Sequence, residues 1–370
     1  MRVAAIDCGT NSIRLLIADV ADGRLTDVAR RMEIVRLGEG VDRTGRLSPE
    51  AIERTRKALL GYAAEIAELG VGRVRMCATS ASRDAANAAD FTAMVRATLG
   101  VDPEVITGDD EARLSFAGAV TGLVADQPYL VVDIGGGSTE FVVGGDHVEH
   151  AVSVDIGCVR MTERHLHSDP PTAEEVAAAE EDIVKAVDAA LRTVSGHGAA
   201  TLVGLAGSVT TVAALALHLP GYDSRRIHHA RIPYEDVAKV THDLLGSTVA
   251  DRRDLPVMHS GRADVIGAGA LILRVIMERA GKTSVIASEH DILDGIAFSL
   301  ADPEPRADAP TAEAAPVPEA TAPTAGAAPR PHAPTAGTAS GDDVPTAERA
   351  PGESTLHKFW SSLRSVTHRD

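Results

Sequence analysis

Aromatic side chains are scarce in this chain: only 3% of its 370 residues are Phe, Trp or Tyr. Proteins that hold single-stranded nucleic acid without sequence preference stack bases on aromatic platforms, so the composition argues against that class. Basic residues are also in deficit, with 36 Lys and Arg against 53 Asp and Glu and a formal net charge of −17. A general nucleic-acid binder normally shows the opposite sign, so no nucleic-acid partner is expected. Cysteine is nearly absent. Cys8, Cys77 and Cys158 are far apart, odd in number and without metal-ligand spacing, which excludes a disulfide framework or a zinc site and fits small core residues in a reducing compartment. No apolar run approaches the ~20 residues of a membrane span. Arg2 leads straight into strand-like Val3-Ala4-Ala5-Ile6 and Asp7 rather than a secretory leader. The expectation is a cytoplasmic protein with no membrane association.

What is present is an alternation of short apolar strands and amphipathic helices, long enough for two α/β domains over residues 1–124 and 125–300. Ser48-Pro49-Glu50 predicts a capped helix running to about Gly70, and Thr172 predicts the start of a long Ala/Glu-rich helix to about 195. From about Pro303 the character changes: eleven of the 19 prolines fall after Leu300, amid Ala, Thr and Gly. Residues 301–370 are therefore expected to be a disordered tail, with Leu356, Phe359, Trp360 and Leu363 as a possible short docking helix at its end.

Two segments carry the chemistry. Leu130-Val131-Val132-Asp133 enters Ile134-Gly135-Gly136-Gly137-Ser138-Thr139, and Glu140-Phe141-Val142-Val143 returns. Successive glycines let a backbone approach an anion and point N–H groups at it. Asp133 and Glu140, on either side, are placed to hold a divalent cation or a water. The N-terminus repeats the layout: Asp7-Cys8-Gly9-Thr10-Asn11-Ser12 is followed by a strand that contains Arg14. Two such hairpins about one domain apart imply an internal duplication, with two phosphate loops facing each other across a cleft. Further strand-to-hydroxyl junctions occur at Thr79-Ser80-Ala81-Ser82-Arg83 and at Ala206-Gly207-Ser208, where free N–H groups at helix starts suit an anion. A helix opens at Gly108-Asp109-Asp110-Glu111; acids in a first turn are favoured by the helix dipole, which accounts for Asp109 and Asp110 without a catalytic role.

Together with Arg262-Ala263-Asp264-Val265-Ile266, these segments resemble the exopolyphosphatase / guanosine pentaphosphate phosphohydrolase family, within the actin, sugar-kinase and heat-shock-chaperone ATPase superfamily. The resemblance covers about residues 1–300. It implies two ribonuclease-H-like α/β domains around a cleft that binds inorganic polyphosphate or a guanosine tetra- or pentaphosphate. It further implies Glu111 as the catalytic base that activates water, Asp133 and Glu140 as catalytic acids that engage the cation or the water, and magnesium or manganese as cofactor. Phosphate contacts are expected from Gly9, Thr10, Asn11, Ser12, Arg14, Thr79, Arg83, Gly135, Gly136, Gly137, Ser138, Thr139, Gly207 and Ser208, with Arg113 a further candidate. A homodimer is expected from the family alone. Longer members continue into a helical phosphohydrolase-like domain, whereas this chain continues into a Pro/Ala-rich tail, and a preference for short polyphosphates is expected. The competing expectations are a kinase or ATPase of the same superfamily and a non-enzymatic guanosine polyphosphate sensor.

Overall fold

A computed structural model describes residues 1–21 and 24–301. The tail and the expected docking segment at 356–363 lie outside the described residues. The chain builds two mixed sheets. In the first, β1 (Arg2–Cys8), β2 (Ser12–Ala21) and β3 (Arg24–Ile34) form an antiparallel meander, and β4 (Arg73–Ala78) and β5 (Glu104–Val105) add in parallel beside β1, giving the order β3-β2-β1-β4-β5. The second repeats this plan with β6 (Tyr129–Ile134), β7 (Thr139–Gly144) and β8 (Val148–Val154) as meander, and β9 (Thr201–Leu205) and β11 (Ser284–Ala287) as the parallel strands. A short strand, β10 (Arg231–Pro233), pairs antiparallel at the edge and was not expected from the sequence. The shared strand order makes the duplication inferred from the two glycine turns a property of whole sheets.

Helix starts follow their caps. Ser48 accepts the Ala51 N–H ahead of the helix Pro49–Glu68, and Thr172 and Glu175 form a reciprocal capping box at the start of Ala173–Thr193. Each sheet buries both faces. On the second, Leu130, Val132, Ile134 and Phe141 pack under Ala173–Thr193 and Ile266–Arg279, while Tyr129, Val131 and Val142 on the other face meet Ala112, Phe116 and Ala119 of the helix Gly108–Val120. On the first, Ile6, Ile13 and Leu15 meet the helix Pro49–Glu68, while Val3, Ala5, Leu16 and Ala18 face Ile292, Ile296 and Ala297. No helix among the described residues is long and apolar enough to cross a membrane.

The two inner helices are exchanged between the sheets. Gly108–Val120 follows the first sheet in sequence but covers the second, and Ile292–Ala301 follows the second but covers the first. The sequence division at 124/125 therefore separates the strands but not the layers, because the last helix belongs with the first sheet. The helices cross where a Cβ on Gly118 would lie 1.9 Å from the Asp291 carbonyl oxygen and one on Gly295 would lie 2.0 Å from that of Leu114. Only glycine permits that approach. The crossing brings the first turns of both helices to the same end of the sheets, where the two glycine turns also lie.

Candidate active site

The site is built on strand register. In β6 and β7, Asp133 stands opposite Glu140; in β1 and β2, Asp7 stands opposite Arg14. Each turn closes in the same way, with the Gly135 N–H donating to the Ser138 carbonyl at 3.1 Å and the Gly9 N–H to the Ser12 carbonyl at 3.0 Å. Because side chains alternate along a strand, Asp133 continues the inward row of Tyr129 and Val131, and Asp7 that of Val3 and Ala5. Both acids thus end an apolar row and emerge at the cleft floor.

One cleft of about 90 Å³ gathers Gly9, Thr10, Asn11, Ser12, Arg14, Thr79, Glu111, Asp133, Gly135, Gly136, Ser138, Gly207 and Ser208, most of the set expected from the sequence, together with Asp7. The others lie close by with different partners. Glu140 is 1% exposed behind Asp133 and accepts a hydrogen bond from Ser153 Oγ at 2.7 Å. Arg83 sits in the last turn of a five-residue helix, Ser80–Asp84, where its guanidinium donates to the Ile106 carbonyl at 2.9 Å and to Glu111 Oε2 at 3.2 Å. Gly137 packs against Thr10 and Ser80 of the first sheet's loops. Thr139 is fully buried and its hydroxyl donates to the Ile156 carbonyl, away from the cleft. Arg113 is exposed to solvent.

Three participants were missed. Asp7 and Asp291 hold Arg14 from two sides, Asp7 Oδ2 at 2.7 Å from Arg14 Nη2 and Asp291 Oδ2 against Nη1. Asp7 was legible as the counterpart of Asp133 in the repeat; Asp291 carried no local signal. The third is Arg262, whose guanidinium lies flat on the Gly207 backbone, so close that a Cβ there would be 2.1 Å from Nη2. It donates to Thr211 Oγ1 at 2.9 Å, forms no ion pair with a carboxylate among the described residues, and is held below its ordinary pKa by burial. A half-buried cation without a carboxylate partner among the described residues, facing a cleft, is prepared for an anion. Its segment was singled out in the sequence, but its destination was not legible there. Beside it Ala206 adopts a left-handed φ of 65° at the start of the helix Ala206–Ala216, a strained conformation for a residue with a side chain that turns the first helical N–H groups toward the cleft.

The electrostatics are crowded. Burial pushes the Asp133 carboxyl up to about 6, helped by Asp291, and the Glu140 carboxyl up to about 7, helped by Asp133. Glu111 is also pushed well above the carboxylate range, by burial and then by the charge on Glu140. Among the described residues no three His, Cys, Asp or Glu side chains converge to hold a metal ion. The oxygen atoms gathered around the second turn's acids are the carboxylates of Asp133 and Glu140 and the hydroxyls of Ser115 and Ser153, all hard ligands.

The sequence pattern of the Ppx/GppA phosphatase family matches residues 16–304. The chain is 54% identical over 314 residues to Exopolyphosphatase 2 of Mycobacterium tuberculosis strain H37Rv, spanning 81% of this chain and 98% of that protein. Among solved structures, an exopolyphosphatase-like protein superposes with a TM-score of 0.78 at 44% identity, covering 81% of this chain and 97% of that one. The Aquifex aeolicus member of the Ppx/GppA family superposes with a TM-score of 0.71 at 35% identity, over 83% and 99% of the two chains. With paired phosphate loops on duplicated sheets and these similarities over most of its length, the chain belongs to the Ppx/GppA phosphatase family.

Proposed function

We propose that this phosphatase is an exopolyphosphatase, which releases the terminal phosphate of inorganic polyphosphate by attack of a water held at Glu111. The observation that carries the reading is the position of Glu111: it lines the phosphate-loop cleft and is oriented by Arg83, whose own position is fixed by the Ile106 carbonyl. A pure binding protein for polyanions has no use for a carboxylate there. The name of the Mycobacterium tuberculosis relative supports the same substrate class.

Phosphoryl transfer to water needs positioning, charge neutralisation and one base. N–H groups of the two turns and of the Gly207–Ser208 helix start cradle the phosphate oxygens, Arg262 and Arg14 offset their charge, and Glu111 takes the proton from the attacking water. A raised pKa makes Glu111 a stronger base once it is ionised. Asp133 on the cleft floor and Glu140, buried behind it, are the residues that would hold magnesium or manganese. Burial together with neighbouring negative charge raises both pKa values, and a divalent cation held by these two carboxylates would offset that charge. When bound, the cation supplies neutralisation of phosphate charge.

A second reading, guanosine pentaphosphate as substrate, is favoured by a chamber of about 440 Å³ that shares Arg14, Ala206, Gly207 and Arg262 with the cleft. It adds Arg30 and Arg31, an apolar wall of Met32, Val257 and Met258, and the half-exposed ring of Tyr222. That combination suits a short anionic chain and equally a nucleoside attached to one.

The test is phosphate release from short and long polyphosphate, guanosine pentaphosphate and ATP with magnesium, for wild type and Glu111→Gln. The expected result is turnover of polyphosphate, fastest on short chains, and a loss of ~10²–10⁴-fold in Glu111→Gln. Unchanged release in the variant overturns the mechanism. Turnover of guanosine pentaphosphate alone replaces the substrate, and ATP as the best substrate restores the kinase-like reading.

A further inference from the structure

Outside the cleft, the structure gathers an unusual number of charges at one place. The segment 35–45, between β3 and the helix Pro49–Glu68, runs along the first lobe (β1–β5 and its covering helices) and touches the second (β6–β11 and its own) at both ends. At one end Arg36 pairs with Asp264 at 2.7 Å. At the other, Asp42 is held by both Arg160 and Arg164, and the Gly40 N–H donates to Glu163 Oε1 at 3.0 Å. Arg160, Glu163 and Arg164 all come from the helix Cys158–His165.

This segment also supports the first phosphate loop. The Val35 and Arg36 N–H groups donate to the Asn11 carbonyl at 3.1 and 2.8 Å, and the Gly38 N–H donates to the Thr10 carbonyl at 2.9 Å. The helix Cys158–His165 does the same for the second loop: the Cys158 N–H donates to the Gly135 carbonyl at 2.9 Å, and the Val159 and Arg160 N–H groups to the Gly136 carbonyl at 2.9 and 3.1 Å. One side chain joins the two supports. Arg160 Nε donates to the Gly137 carbonyl at 2.7 Å, Nη1 to Asp42, and Nη2 to Asp84 Oδ2 at 2.6 Å. Its side chain is 13% exposed.

We propose that Arg160 is a positioning residue for catalysis: its planar fork locks the second phosphate loop to the first lobe, so that the two loops face one phosphate at a fixed separation. The geometry explains why an arginine is needed. Three acceptors from three segments lie around one guanidinium, and a lysine ammonium on the same stem reaches fewer of them in that plane. The loops meet directly as well. A Cβ on Gly136 would lie 2.9 Å from Thr10 Cβ, and one on Gly137 would lie 2.5 Å from Ser80 Oγ, Thr10 and Ser80 being hydrogen-bonded to each other within the first lobe. Those contacts are small, and the ionic fork adds to the exchanged helices and the Arg36–Asp264 and Arg164–Asp42 pairs a charged tie that acts on the loops themselves. Asp84, 35% exposed and bonded through its side chain to Arg160, is the outer anchor of the fork.

The proposal rests on the phosphatase reading only for its kinetic arm. In the full-length chain, spin labels at Arg46→Cys and Glu174→Cys place one exposed probe on each lobe, the three native cysteines being buried. Inter-label distances and kcat are then compared among wild type, Arg160→Gln, Arg160→Lys, Asp84→Asn and Glu111→Gln. Arg160→Gln is expected to lengthen or broaden the distance distribution and to lower kcat ~10- to 100-fold, the scale of a reacting group misplaced by about an ångström. Arg160→Lys is expected to recover the melting temperature but not kcat, whereas Glu111→Gln lowers kcat at wild-type distances. Unchanged distances in Arg160→Gln, a wild-type kcat in that variant, or full recovery of kcat by lysine overturns the proposal. Should Arg160→Gln not fold, Asp84→Asn decides in its place: longer distances with a kcat reduced severalfold support the fork, and wild-type values refute it. If Glu111→Gln alone keeps full activity, the catalytic assignment fails while the distance measurement still judges Arg160.

Discussion

The hairpin at residues 7–14 and the hairpin at 133–140 share length, register and turn closure, yet they differ at the position opposite the aspartate. The first has Arg14 there; the second has Glu140. Duplication therefore supplies a symmetric cradle, and the chemistry comes from breaking the symmetry. In the first jaw Arg14 is clamped by Asp7 and Asp291, so two carboxylates share one guanidinium within the fold. In the second jaw burial and then Asp291 raise the pKa of Asp133, burial and then Asp133 raise that of Glu140, and the side-chain hydrogen bonds these carboxylates accept among the described residues come from the hydroxyls of Ser115, Ser138 and Ser153. That jaw is short of positive charge, and the deficit is what a cation and an activated water would use.

The largest effect should come from removing the symmetry-breaking residue of the first jaw. Arg14→Met leaves Asp7 and Asp291 buried without their cation, and breaking a buried pair in this way costs about 3–5 kcal/mol. Urea unfolding at pH 7 measures it. The deficit should shrink at pH 5, because burial already raises the folded pKa of Asp7 and loss of its cation raises it further, so that Asp7 protonates as the pH falls. A variant as stable as wild type would mean that the first jaw does not depend on this pairing.

A smaller effect of opposite sign is expected in the second jaw. Glu140 titrates at about 7 in the fold against an ordinary 4.5, so the folded state holds the proton more tightly than the unfolded chain. Stability should then fall as pH rises from about 4.5 through 7, with the full penalty present above that window, on the order of 1–3 kcal/mol. Glu140→Gln should flatten this slope while lowering turnover. Magnesium should stabilise wild type more at pH 8 than at pH 5 and should do little for the variant. A pH-stability profile identical in both proteins would refute the picture of a strained acidic jaw.

Much of this was legible in the sequence because it is local. Asp, glycines and a hydroxyl bounded by apolar strands specify a turn that needs no knowledge of the rest of the chain, and Ser48, Thr107 and Thr172 sit at the helix starts their side chains cap. What escaped depends on distant partners. That Ile292–Ala301 covers the first sheet follows from the crossing at Gly118 and Gly295, which pattern alone does not pair. Arg83 was expected as a phosphate contact at a helix start; the bond from its guanidinium to Glu111, 28 positions later, had no local signal. Arg262 could not be distinguished from a solvated arginine until the structure laid it on Gly207.

Position 139 gives the subtlest contrast between the jaws. Its counterpart in the first hairpin is Ile13, fully buried in the core, so the repeat itself marks this as an inward position rather than a ligand position. Thr139 fits that role with one addition, the hydroxyl bond to the Ile156 carbonyl, which ties the second turn to the segment leading into the helix Cys158–His165. Thr139→Val keeps the shape and removes the donor, leaving a buried carbonyl short of a partner at a cost of about 1–2 kcal/mol. The expected outcome is a melting temperature lowered by a few degrees with the KM for polyphosphate unchanged. A KM raised tenfold at wild-type stability would instead return the hydroxyl to the phosphate, and with it the idea that the two jaws grip by the same side chains.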